Sequence, residues 1–203
     1  MEQLTVFGPE RFTLKPNRNE VFKWLQCDEH LPCYCTYTAA WDESVSLLQA
    51  SIAPRAALVR AEDGAVSMFM TLGPEAETQI TQLFCQERYV IASLLNTLCD
   101  EMLFQMDRQA GALLEEAFMS EGLHIATLME PMLDLAPDDM LRRIQPMLRA
   151  FPFVRVSRQG TLFPTKSMMY SITLTHEDCR KHSLHDCSKC SQVNCLYRSV
   201  KNT

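Results

Sequence analysis

From Ile91 to Met106 the side chains Ile91, Leu94, Leu95, Leu98, Met102 and Met106 recur at steps of three and four residues. That spacing predicts a helix with one broad apolar face. Leu113, Leu114, Ala117 and Phe118 extend the helical text as far as Gly122. So long an apolar face has to be covered by a second layer, and this requirement constrains the fold more than any other feature.

The covering layer is legible upstream. Ala57-Leu58-Val59 and the run Val66 to Leu72 are separated by Glu62-Asp63-Gly64, which predicts a β-hairpin. Val66, Met68, Met70 and Leu72 share one of its faces. Gly73-Pro74 ends the second strand and opens a helix, with Glu75 and Glu77 placed to complement its dipole and Ile80, Leu83 and Phe84 as its buried stripe. An extended stretch at Leu4-Thr5-Val6-Phe7 precedes these elements. Asn19 is expected to cap a short helix carrying Val21, Phe22 and Leu25, and Asp42 to cap one over 42–52 that Pro54 stops. Pro137 with Asp138 and Asp139 opens a last helix bearing Leu141, Ile144 and Leu148. Segments 153–156, 162–163 and 168–174 read as strands. Strands in groups between helices, without regular βαβ alternation, predict an α+β fold with a twisted, mainly antiparallel sheet.

Near Glu177 the apolar periodicity stops and cysteine, histidine and polar residues take over. This divides the chain into a domain over 1–176 and a cysteine-rich tail over 177–203. A net charge of -6 removes the clustered cations that nucleic-acid binding needs. No apolar stretch approaches the roughly 18 residues of a membrane span, and the first nine residues lack a basic region followed by an apolar run. A cytoplasmic protein without a nucleic-acid or membrane partner is expected.

The nine cysteines, an odd number with no leader, point to thiols in a reducing compartment rather than a disulfide framework. Cys179-x7-Cys187-x2-Cys190-x4-Cys195 puts four thiols in seventeen residues with polar spacers free of Gly and Pro. Thiolates so close in sequence can converge on one centre. Zinc would accept all four, or three with His176, His182 or His185, and a [4Fe-4S] cluster also takes four cysteines. Cys27, Cys33 and Cys35, with His30 among them, could form a second site, but a one-residue spacer is unusual for zinc and free thiols are expected. Cys85 and Cys99 lie in apolar helical text and are expected in the core.

Three segments, Met70-Thr71-Leu72-Gly73-Pro74-Glu75, the helix over 89–107, and Phe163-Pro164-Thr165-Lys166-Ser167-Met168-Met169, resemble in this order the activation (reactivation) domain of vitamin B12-dependent methionine synthase. The ending Cys195-Leu196-Tyr197-Arg198 resembles that of stand-alone relatives with a C-terminal cysteine cluster. The resemblance spans about residues 15–175. It implies the family's fold and a role in reducing or remethylating a corrinoid protein, with cobalamin presented by that partner and the chain working within a cobalamin-dependent methyltransferase system. In that setting the tail is expected to hold a [4Fe-4S] cluster for electron delivery, with Zn2+ as the alternative.

The family binds S-adenosylmethionine through an Arg-x-x-x-Gly-Tyr-type segment, but here that region reads His124-Ile125-Ala126-Thr127-Leu128-Met129-Glu130-Pro131-Met132-Leu133-Asp134. A carboxylate and a sulfonium need charge-assisted hydrogen bonds that Leu and Met cannot supply, so weak or no binding is expected. Glu130 and Asp134 could meet a cationic ligand or serve as solvated or capping acids. Lys166 and Ser167 carry the motif as candidate cofactor contacts, and Tyr170 could stack on a ligand ring or pack in the sheet. Two other functions compete: a non-catalytic adaptor that clamps a corrinoid protein with a structural zinc tail, and a self-contained methyltransferase, disfavoured because only six glycines occur and no Gly-rich loop is present. No hydrolase constellation can be assembled from these residues.

Overall fold

The computed structural model describes residues 3–62, 64–129, 144, 148–149, 151–177, 195 and 197. In chain order its elements are β1 (Gln3–Phe7), α1 (Arg18–Trp24), α2 (Tyr34–Ser51), β2 (Arg55–Arg60), β3 (Val66–Thr71), α3 (Pro74–Cys85), α4 (Tyr89–Met119), β4 (His124–Met129), β5 (Arg155–Val156), β6 (Leu162–Phe163) and β7 (Ser167–Thr175). Strands β1, β2, β3, β7 and β4 form, in that order, an antiparallel sheet, and β5 pairs with β6. The expected α+β class with its antiparallel sheet is therefore the observed one.

The hairpin text places alternate β3 side chains on opposite faces, and all six residues of the strand are buried. Val66, Met68 and Met70 join Ala56, Leu58, Tyr170 and Ile172 on the face that packs against Leu94, Leu95, Leu98, Met102 and Met106 of α4. Each such fully buried Leu contributes about 1.5–3 kcal/mol. The opposite face, Ala57, Val59, Phe69 and Met169, is covered by Ile144, Phe151, Val154 and Leu162. The sheet is thus the middle of three layers.

Local chemistry fixes the helix ends. Gly73, at φ 89, turns the chain from β3 into α3, a conformation that residues with a Cβ rarely take, and Pro74 fills the first helical position. Glu87, at φ 58, and the Arg88 N–H on the Leu83 carbonyl at 2.9 Å close α3 before α4 begins. At α1 the cap is Asn17, not Asn19. Its side chain accepts the N–H groups of Asn19 and Glu20, so Asn19 already lies in the first turn.

Helix α2 begins at Tyr34, well before the expected Asp42. Its first half is aromatic rather than aliphatic, which hid the period. Tyr34, Tyr37 and Trp41 direct rings edgewise at Phe22 with centroids at 5.6, 6.4 and 5.8 Å, and the Arg18 guanidinium lies 4.9 Å from the Phe22 centroid. Cys99 is buried as expected, whereas Cys85, at the last position of α3, is exposed. Segment 124–129, for which no strand is expected from the sequence, forms β4 and pairs with β7. The expected last helix from Pro137 falls mostly outside the described residues.

The segment before α1 is bound to α4 as a side-chain ladder. Gln109 accepts from the Thr13 N–H at 2.8 Å and donates to its carbonyl at 3.0 Å. Gln105 does the same for Lys15 at 2.9 and 2.6 Å, and Glu101 accepts from the Asn17 N–H at 3.3 Å. Four helical residues rise about 6 Å and two extended residues about 6.6 Å, so the two repeats stay in step over these three rungs.

Burial pushes the Glu101 carboxyl up, against hydrogen bonds from Gln105 and the Asn17 N–H that favour the ionised form. The folded state therefore holds this proton more tightly than the unfolded chain does. The resulting stability is present below the unfolded carboxylate range and lost as pH rises through the folded value. Glu101→Gln should flatten that decline, read by urea denaturation between about pH 4 and pH 7. An unchanged slope would place the titration elsewhere.

Candidate functional site at the turn before the last strand

Strand β7 is entered through Pro164-Thr165-Lys166-Ser167, with the Phe163–Pro164 bond cis. Register pairs Thr71 with Ser167 and Met70 with Met168, so this turn lies beside the end of β3 and the start of α3. Thr71 ties the two together. Its hydroxyl is 2.9 Å from the Ser167 hydroxyl and accepts from the Gly73 N–H at 3.1 Å. The Lys166 carbonyl accepts the Leu72 N–H at 3.0 Å, and the Thr165 N–H donates to Glu77 at 3.0 Å.

Helix α4 completes the arrangement. Lys166 Nζ donates to Asp100 Oδ1 at 2.6 Å, with the two side chains 10% and 18% exposed. The three segments that resemble the activation domains, far apart in sequence, therefore meet at one place. From the sequence Glu77 reads only as a helix-dipole acid, Thr71 only as part of a resembling segment, and Asp100 carries no separate reading, because a lone polar residue in helical or strand text gives no periodic signal of its partner.

The tail reaches the same place. The Tyr197 hydroxyl donates to Asp100 Oδ2 at 2.6 Å, so both oxygens of this carboxylate are engaged. Its ring packs on Trp24 (4.8 Å between centroids, 86°) and Phe104 (5.2 Å, 47°), which also touch each other. Burial, and then the bond to Asp100, hold the phenol proton above the ordinary tyrosine range, so Tyr197 remains a donor. Cys195, two residues earlier, is half-buried. Next to Asp100, burial pushes the Cys99 thiol up to about 12, with Lys166 opposing, which makes it an inert core thiol.

The other candidate residues are distributed as follows. Lys166 and Ser167 are at the junction, engaged with Asp100 and Thr71. Tyr170 is 1% exposed within the cluster between sheet and α4. Glu130 and Asp134, and Cys179, Cys187 and Cys190 of the tail quartet, lie outside the described residues. Among the described residues no group of three or more His, Cys, Asp or Glu side chains is close enough to hold a metal ion. None of their helices is long and apolar enough to cross a membrane. On a neighbouring face of α4, Lys15, Arg18, Arg108 and Glu101 line an open polar groove of about 460 Å³.

No protein-family profile matches this chain, and no curated protein matches it. Among solved structures the chain is similar to the MetH reactivation domain, crystallised bound to AdoHcy, with a TM-score of 0.56 and 8% identity over 90% of this chain and 81% of that one. At that identity the likeness is one of fold.

Removing Asp100 would leave a largely buried ammonium and a phenol without their acceptor. Asp100→Ala is expected to cost about 3 kcal/mol, and Tyr197→Phe, which keeps the ring, about 1 kcal/mol. Urea unfolding of the two variants checks the ordering. Equal losses would mean that the carboxylate contributes only through Tyr197.

Proposed function

We propose that this chain is an accessory protein for the reductive reactivation or remethylation of a corrinoid protein, with cobalamin presented by that partner. The observation that carries the reading is the meeting of three activation-domain-like segments at the Lys166–Asp100 pair. It stands on a fold similar over 90% of the chain to a reactivation domain. The partner is a corrinoid protein or a cobalamin-binding domain, not a nucleic acid, in keeping with the net charge of -6.

In this reading Cys179, Cys187, Cys190 and Cys195 hold the tail's centre. A set of four thiolates suits a [4Fe-4S] cluster and also suits zinc. A bound [4Fe-4S] cluster supplies single electrons at low potential, which zinc cannot. The chain's part is positional. Tyr197, seated between Trp24 and Phe104 and bonded to Asp100, anchors the end of the tail against α4 and so fixes where Cys195 can lie. Lys166 neutralises Asp100, so the anchor buries no unpaired charge.

S-adenosylmethionine is not part of this proposal. The neighbour's crystals contain AdoHcy, but segment 124–134 of this chain, whose described part His124–Met129 is a strand, lacks the arginine and the glycine-aromatic pair. Calorimetry with S-adenosylmethionine should give no saturable heat, and micromolar affinity would overturn this exclusion. The same departure favours a second reading, a non-catalytic adaptor that clamps a corrinoid protein and carries a structural zinc tail.

Anaerobic purification with metal analysis and a visible spectrum separates the two readings. Iron and sulfide are expected, and alanine at both Cys187 and Cys190 should abolish metal binding while the main domain stays folded. The reduced chain, mixed with a corrinoid protein loaded with cob(II)alamin and a methyl donor, should then convert the cobalt absorbance. Zinc in the tail without cobalt conversion would leave the adaptor, and metal content unaffected by the double substitution would remove the tail assignment.

A further inference from the structure

Cys27 and Cys33 take no part in the junction, yet their Sγ atoms lie 3.8 Å apart. Backbone hydrogen bonds enforce that approach. Gln26 adopts φ 52 and the Cys27 N–H donates to the Phe22 carbonyl at 2.9 Å, which turns the chain at the end of α1. The Leu31 N–H on Asp28 and the Tyr34 N–H on Leu31, both at 3.0 Å, fold the intervening residues into consecutive turns. The His30 N–H on the Asp28 carboxylate at 2.9 Å supports the first of them. Cys33 then occupies the N-cap of α2, and the Tyr37 N–H on its carbonyl at 3.0 Å locks it there. The sulfurs are thus brought together before any bond joins them.

The two thiols differ. Cys27 is 5% exposed and belongs to the hydrophobic core, where burial first and Cys33 second push its thiol up to about 11. Cys33 is exposed. A reagent in solution meets Cys33, and Cys27 stands behind it within reach of the same sulfur. A metal ion on this pair would need further ligands, and among the described residues no third His, Cys, Asp or Glu joins it. A disulfide needs only the two groups already in place.

We infer that Cys27 and Cys33 form a reversible dithiol–disulfide pair that exchanges with small-molecule disulfides. The Cys33 thiolate attacks one sulfur of R–S–S–R, forming a mixed disulfide and releasing one thiolate, RS⁻. Cys27 gives its proton to water and its thiolate attacks Cys33 Sγ, expelling the second RS⁻. Both released thiolates are protonated, one of them by the proton that Cys33 had lost and the other by that of Cys27. The balance is two protein thiols and one R–S–S–R giving one Cys27–Cys33 bond and two R–SH. The protein is oxidised by two electrons and the small disulfide reduced by two.

The test uses the full chain, reduced, desalted and incubated with oxidised glutathione, with every cysteine then mapped by alkylation and mass spectrometry. A Cys27–Cys33 linked peptide is expected as the main product in the unsubstituted protein. Cys33→Ser should reduce linkage at Cys27 to background, and Cys27→Ala should stop the reaction at glutathione on Cys33. Cys35→Ser should change nothing. A lasting glutathione adduct on Cys33 in the unsubstituted protein would overturn the inference, as would a link from Cys33 to Cys35 or to a tail cysteine. So would tightly held zinc that shields Cys27 and Cys33 together. If Cys27→Ala fails to fold by circular dichroism, the unsubstituted map and the exposed Cys33→Ser variant decide the matter alone.

Discussion

The apolar stripe of α4 against the inner face of the sheet is the contact on which the rest of the structure depends. Leu94, Leu95, Leu98 and Met102 are all but fully buried, and they meet Met68 and Met70 from β3 and Tyr170 and Ile172 from β7. With 31 residues the helix is about 46 Å long. That length lets one rigid element present other faces to several partners at once. The amino-terminal segment binds along Glu101, Gln105 and Gln109, α1 and the tail meet Phe104, and the turn before β7 meets Asp100.

Polar chemistry on α4 is divided by position around the helix. Asp100 and Glu101 are adjacent in sequence but point to different neighbours, since consecutive helical residues are separated by about 100°. Asp100 meets a fixed cation and a phenol, one on each carboxylate oxygen, in a largely buried setting. Glu101 meets the Gln105 amide and the Asn17 N–H with the Arg108 cation nearby, yet burial outweighs these and raises its proton affinity. The first arrangement ties layers and tail together. The second fixes the path of the chain into α1.

The cysteines also sort by environment rather than by number. Cys99 is sealed in the core beside the Lys166–Asp100 pair and has no route to solvent. Cys27 is buried less deeply and touches an exposed sulfur, and Cys195 is half-buried two residues before the tail's aromatic anchor. Thiol reactivity follows access and charge. Among the described cysteines an inert core thiol and a close pair are thus kept apart.

Periodicity in the sequence determined the hairpin, α3, α4 and the α+β class, because apolar spacing and Gly-Pro punctuation are local signals. It missed the first half of α2, where Tyr34, Tyr37 and Trp41 face Phe22, since an aromatic ridge among polar residues does not read as an aliphatic stripe. Strand β4 carries no strand reading in the sequence, because its pairing with β7 is a long-range property. Lys166 and Ser167 were visible as a motif, but only the tertiary structure decided that Asp100 and Tyr197 complete it. A lone Asp in a helix and a lone Tyr in a polar tail carry no mark of each other. Their pairing follows from the burial of α4, which brings the Asp100 carboxylate to the end of the sheet, where a cation and a phenol are the groups available to satisfy it.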